Sequence, residues 1–371
     1  MMKKLFLYIG MMAFLFACMD DESIYEKERL DLDVDSDLKD YITNQRGLFV
    51  VNEGNFMYEN ASLSYYMIDS MKVINNLFER VNGLPLGDVA HSMTIRNGLG
   101  YIVINNSGKV YVIDILNFKI AGKITGLVSP RYIHFLSDSK AYITDLYAKS
   151  VTIVNPQSFQ IVGSISVNNN ETQFYQHPTE QMVQIGKYVF ISCWSYDNKI
   201  LVIDSENDVV IDSIEVISQP KAMVADENDK LWVLSDGGAE GNPYSYEKPG
   251  LTMIDPETRE IERIFRFALE DNPTALCLNG SRDTLFVLNH HVWKMDVKRS
   301  KFPEIPFITS SYNEITGGFY NMSVDQVNSE IYVSDAVDNV QRGYVYRYSS
   351  SGTPIDTFQT GIIPNTICFM P

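Results

Sequence analysis

Cysteine, basic charge and long apolar runs are all scarce in this chain. Of its 371 residues only four are cysteine, and after Cys18 three remain, Cys193, Cys277 and Cys368. An odd number of widely separated thiols argues against a disulfide scaffold and for buried free thiols. No cysteine and histidine spacing matches a metal site, so no metal is expected. The neighbouring His290 and His291 are read more simply as an exposed pair. Lysine and arginine number 30 against 47 acidic residues, a net charge of −17. That balance disfavours nucleic acid and anionic lipid head groups as partners. The one long apolar run, Leu5 to Phe16, falls short of the ~20 residues a membrane-spanning helix needs. No nucleophile-elbow or zincin motif is present. The carboxylates are too many and too scattered to single out an acid–base pair. No catalytic residue and no cofactor is assigned, and the chain is read as a non-enzyme.

What is present is repetition. Between Pro130 and Ile165 lie four short runs rich in Ile, Val, Tyr and Phe, separated by turn residues. The gaps there leave no room for helices, so the stretch reads as a four-stranded antiparallel meander, strands A to D. Strand C recurs with an apolar run ending in Asp or Asn, at Asp69, Asp114, Asn155, Asp204, Asp255 and Asp296. The spacings of 45, 41, 49, 51 and 41 residues match the roughly 40–50 of a propeller blade. A seventh copy, Tyr344 to Tyr348, lacks the acid. Strand B recurs from Leu48-Phe49-Val50-Val51 to Ile331-Tyr332-Val333, and strand A tends to open on Pro130, Pro178, Pro220 or Pro273. Because the Asp residues recur blade by blade, they read as holders of the C–D turn.

The two ends complement each other. The first repeat begins at its B strand, and the segment Ile363 to Phe369 reads as an A strand with no B strand after it. The fold expected is therefore an all-β, seven-bladed propeller of four-stranded antiparallel blades. Its C-terminal strand completes blade one and leaves no open edge. Residues 47–371 form this domain. Residues 1–17 read as a signal peptide, and Leu15-Phe16-Ala17-Cys18 resembles a bacterial lipobox, in which Cys18 is lipidated. Residues 18–46 are an acidic flexible tether, and Asp20-Asp21-Glu22 resembles the surface-export signal of Bacteroidetes lipoproteins.

In a propeller the B–C and D–A loops open on one face around the axis, the default ligand site. Here those loops are rich in aromatics, which are unusual in loops and suit a flat ligand or a partner. The candidate ligand-binding residues are Phe56, Tyr58 and Asn60 of blade one, and Tyr175, His177, Trp194 and Tyr196 at blade four. Tyr244 and Tyr246 of blade five, His291 of blade six, Tyr312 before blade seven and Arg342 of blade seven complete the set. A plainer reading is that many of these side chains pack loops onto blade ends.

The run Leu48 to Phe56, with Ala61 to Tyr66, Ser129 to Ile133, Thr179 to Val183 and Gly361 to Pro364, resembles the YncE-like propellers of gut Bacteroides. Within that group it is most similar to the BtuG-type cobalamin-binding lipoproteins. The resemblance runs from about Gly47 to the C-terminus. It implies an outer-membrane, lipid-anchored protein facing the exterior, monomeric on its own. Such a protein captures cobalamin or a related corrinoid and passes it to a TonB-dependent transporter. The rival readings are a protein–protein scaffold without a small ligand and a propeller enzyme of lactonase or quinoprotein type.

Overall fold

The computed structural model describes residues 46–169, 177–241, 246–310 and 318–371. Blade one joins the two ends of the chain, with Pro364–Phe369 as strand A, then Gly47–Asn52, Ser62–Met67 and Lys72–Ile74 as B, C and D. Blades two, three and four each run in chain order. They comprise Ala90–Arg96, Leu99–Ile104, Lys109–Asp114 and Ile120–Thr125; then Pro130–Phe135, Ala141–Asp145, Ser150–Asn155 and Gln160–Ser166; then Thr179–Ile185, Tyr188–Cys193, Lys199–Asp204 and Val209–Glu215. Blade five is Pro220–Ala225, Leu231–Ser235, Gly250–Ile254 and Ile261–Arg266. Blade seven is Phe319–Val324, Ile331–Asp335, Arg342–Tyr348 and Pro354–Ile362. Every pairing is antiparallel, and the expected seven-bladed ring closed by its C-terminal strand is what forms.

Two details depart from the repeat. Blade six has three strands, Ala275–Leu278, Thr284–Asn289 and His291–Asp296. Its fourth is reduced to a single bridge between Val292 and Ile308. The intervening segment carries Pro303 and Pro306, which lack the N–H a ladder needs. A six-residue helix, α1 (Leu77–Asn82), links blade one to blade two, and it buries Leu77 and Phe78. Among the described residues no helix is long and apolar enough to cross a membrane.

The interior consists of seven apolar clusters, one between each pair of neighbouring blades. This explains the continuous apolar runs of the B strands. Leu48 and Val50 face blade seven, while Phe49 and Val51 face blade two, because side chains alternate along a strand. A strand buried on both faces has no polar side to show.

The recurrent C-strand acid is a turn former. Oδ1 of Asp114, Asn155, Asp204, Asp255 and Asp296 accepts the backbone N–H two residues on, at 2.8–2.9 Å in each case. Asp114 also accepts from Asn117 at 3.2 Å. Asp114→Ala is therefore expected to lower stability by about 1–2 kcal/mol, and Asp114→Asn by less. Urea unfolding of both variants checks this.

Candidate functional site

The pairing of strand A with strand B follows one rule in most blades. The first residue of A meets the end of B, and the ladder then slips at a bulge. The slips fall after Ala90, Pro130, Thr179, Pro220 and Phe319, and in blade one beside Pro364. A bulge re-aims a side chain. The residues placed at these six bulges are Asn365, His91, Arg131, Glu180, Lys221 and Tyr320. All are polar or end in a polar group, on innermost strands. They lie at the B–C and D–A end of the propeller, the face singled out from sequence.

These side chains form a continuous arc. Arg131 grips Glu180 with two bonds, Nε to Oε2 at 2.6 Å and Nη2 to Oε1 at 2.8 Å. His91 Nε2 stands 3.3 Å from Glu180 Oε1, and its Nδ1 lies 3.6 Å from Glu53 Oε1. Glu53 in turn accepts from Asn365 Nδ2 at 2.6 Å and from the Tyr320 hydroxyl at 3.1 Å. The Tyr132 ring meets His91 edge-on at 5.0 Å. On the other side, Trp194 lies between two cations, Arg131 and Lys221, each 5.7 Å from its ring centre. Its indole N–H donates to Asp236 Oδ2 at 2.9 Å, and Gln219 Nε2 donates to Asp236 Oδ1 at 2.7 Å.

The arc is buried and electrostatically tight. Glu180 and His91 are almost fully buried. Burial alone would raise the Glu180 carboxyl, but Arg131, with His91 beside it, holds it at about 2. Burial pushes the Tyr132 and Tyr320 hydroxyls far up, reinforced by Glu180 at the first and by Glu53 at the second. Arg131 and Glu180 are thus held as a fixed ion pair.

The loop residues chosen from sequence sit around this arc rather than in it. Phe56 and Tyr58 are 64% and 75% exposed, with Met57 between them. The backbone N–H of Met57 is held by both carboxylate oxygens of Asp88. Tyr196 and Tyr246 are 47% and 43% exposed. With Tyr147, Val128 and Val340 they make an apolar rim on the same face. Among the described members of the set, only Trp194 joins the arc. Asn60 folds its own loop, its Oδ1 accepting from the Asn55 N–H at 2.6 Å. Arg342 is spent on the Thr360 carbonyl at 2.7 Å, and His291 Nδ1 accepts the Ser310 N–H at 3.2 Å. Tyr175, Tyr244 and Tyr312, like Cys18, the leader and the tether up to residue 45, lie outside the described residues, while Arg46 pairs with Asp325 at 2.7 Å. His177 faces Asp197, Nδ1 to Oδ2 at 2.6 Å.

Sequence reasoning missed Arg131, Glu180, His91, Lys221, Glu53 and Asp236. For the first four the available signal was a polar residue directly after the first residue of strand A, whereas Glu53 and Asp236 directly follow the B strands of blades one and five. Cys277 and Cys368 are unpaired in A strands of blades six and one, as expected. No sequence spacing pointed to a thiol beside an imidazole, but among the described residues one such group does come together. His177, Cys193 and Asp197 bring a nitrogen, a sulfur and an oxygen within 4.8 Å of one another. Spacing hid this, because His177 precedes blade four, Cys193 ends its B strand and Asp197 lies in the turn after it.

Residues 46–366 match the family described as "Domain of unknown function (DUF5074)", and the chain belongs to it. No curated protein sequence matches. Among solved structures, a quinonprotein alcohol dehydrogenase-like protein from Bacteroides thetaiotaomicron superposes with a TM-score of 0.67 at 13% identity, over 88% of this chain and 79% of that one. The periplasmic gluconolactonase of Pseudomonas aeruginosa superposes with a TM-score of 0.64 at 11% identity, over 88% and 99%. Hydrazine synthase from Kuenenia stuttgartiensis gives 0.60 at 16% identity, over 74% and 88%. At these identities the likeness is one of fold.

Proposed function

We propose that this DUF5074 member is a capture protein. It binds a large, partly flat ligand of the corrinoid kind across the B–C and D–A face, and passes it to an outer-membrane transporter of the TonB-dependent class. In this reading the chain is a lipoprotein anchored through Cys18 and facing the exterior. The observation that carries the proposal is the pairing of an exposed aromatic rim, Phe56, Tyr58, Tyr196 and Tyr246, with a buried polar floor at the axis. A corrin ring offers a broad apolar face and a fringe of amides. Rim aromatics would cover the face, and Lys221, Asp236 and Gln219 would hydrogen-bond the fringe.

The floor favours binding over catalysis. Glu180, held at about 2, is fully ionised at neutral pH, and its two oxygens are already engaged by Arg131. A general acid or base works best with a pKa near the working pH. A protein partner would also find apolar surface here, and the same experiment separates the two.

Calorimetry of the purified protein with cyanocobalamin is expected to show one-to-one binding. Tyr58→Ala and Trp194→Ala should each weaken it about tenfold, the cost of truncating an aromatic anchor. Absence of heat at protein concentrations well above micromolar would remove the corrinoid and leave a protein partner as the reading to pursue, by pull-down from outer membranes.

A further inference from the structure

The cluster of His177, Cys193 and Asp197 has no part in the reading above, and three features set it apart. The first is the identity of its residues. In blade three the end of strand B is Asp145, paired with the strand-opening Pro130. Its carboxylate accepts four backbone N–H groups, those of Val128, Ser129, Tyr147 and Ala148, at 2.8–3.1 Å. The same register in blade four pairs Thr179 with Cys193. A thiol is a weak acceptor and cannot tie down a loop in that way. Blade four therefore gives up a loop-fastening acid, and two other ligand-type side chains stand over the thiol instead.

The second feature is preorganisation. The His177 N–H is bound to the Val167 carbonyl at 2.8 Å, and the Trp194 N–H to the Pro178 carbonyl at 3.0 Å. The Asp197 N–H is bound to the Trp194 carbonyl at 3.1 Å, and its own carbonyl accepts from Gln219 at 2.7 Å. Ser195 and Tyr196 both have positive φ, 21° and 69°, which turns the chain back on itself and carries Asp197 over the end of the strand. Asn198 N–H fixes the outer carboxylate oxygen at 2.7 Å and leaves Oδ2 facing His177. The third feature is access. Cys193 is fully buried at the bottom, while His177 and Asp197 reach solvent on the binding face.

We infer that His177 Nδ1, Cys193 Sγ and an Asp197 carboxylate oxygen form a binding site for a zinc-type divalent cation, with the remaining coordination position open towards solvent. A nitrogen, sulfur and oxygen set is one that zinc accepts, with bonds of roughly 2.0–2.3 Å. Ligand atoms around such an ion stand roughly 3–4 Å apart. His177 and Asp197, now hydrogen-bonded at 2.6 Å, therefore part by about an ångström to admit it. A buried thiol is a poor nucleophile. The ion would clip His177, two residues ahead of blade four, to the B–C turn that carries Trp194. Metal occupancy would thus set the position of Trp194, which joins the polar arc.

The test titrates the purified, corrinoid-free protein with Co²⁺ as a spectroscopic substitute for zinc. A near-ultraviolet sulfur-to-cobalt charge-transfer band saturating at one equivalent is expected, bleached by Zn²⁺. Cys193→Ser should abolish the band. Asp197→Asn, which keeps the thiol, and His177→Ala should each weaken Co²⁺ binding tenfold or more. Circular dichroism establishes that each variant is folded. Absence of a band at millimolar Co²⁺, a band that survives Cys193→Ser, or unchanged affinity in Asp197→Asn would each overturn the assignment. None of these outcomes depends on whether a corrinoid binds.

Discussion

Deleting residues 364–371 is expected to abolish the soluble, cooperatively melting propeller. The strand Pro364–Phe369 pairs along Leu48 to Asn52, so its loss leaves that strand with an open edge. It also serves two cores at once. Ile367 is buried with Leu48, Val50, Tyr66, Tyr332 and Phe358 between blades seven and one. Cys368 and Met370 pack against the cluster between blades one and two. Phe369 meets Tyr332 edge-on at 5.3 Å. Asn365 and Thr366 hold the His91 carbonyl at 3.1 and 2.9 Å, which ties blade one to the polar arc. A linear stack could shed a terminal strand at modest cost. A ring cannot, because the same strand closes two interfaces. Gel filtration should show aggregates in place of a monomer, and the thermal transition should lose its sharpness. A truncated protein that stayed monomeric and melted like the full chain would contradict closure by this strand.

The second large effect is expected at Glu180. Glu180→Gln leaves the nearly buried Arg131 guanidinium without its counter-charge, a change that typically costs about 3–5 kcal/mol. The melting point should fall by on the order of 5–10 °C. Adding Arg131→Met to the same chain should recover part of the loss, since the unpaired charge is then gone. The pH dependence provides an independent reading. The carboxyl titrates at about 2 in the folded protein against an ordinary 4.5. Its contribution is fully present above about pH 4.5 and is lost as pH falls towards 2. Over that window the folded protein should lose about 3 kcal/mol through this one group. Glu180→Gln should lack that component of the acid dependence. Equal acid sensitivity in the two proteins would show that the pair does not hold the arc together.

The elements that were legible in the sequence are those whose cause is local. The B strands announced themselves as continuous apolar runs because each is buried on both faces. The acid at the end of strand C was recognisable because it bonds a backbone N–H only two residues away, as Asp114 and Asp255 do. The closing strand could be matched to its place because Ile363 to Phe369 has the pattern of an A strand and no partner after it. Even the failed fourth strand of blade six had its warning in Pro303 and Pro306. The aromatic face was likewise readable from loop position, since the loops that share a face follow from the strand order.

The polar arc was not readable in this way. Asn365, His91, Arg131, Glu180, Lys221 and Tyr320 stand tens of residues or more apart along the chain, each the second residue of an A strand, and most of those strands carry other polar residues as well. Nothing local distinguishes such a residue from one that faces water. The repeat by itself determined that seven blades form and close. Which side chains meet at the axis was decided by the ring, together with the bulge that turns each second residue of strand A inwards. Only in that closed geometry do charges from separate blades come close enough to pair. Water is then excluded, and the low local dielectric makes the pairing of Arg131 with Glu180 a condition of folding rather than an accident of the surface.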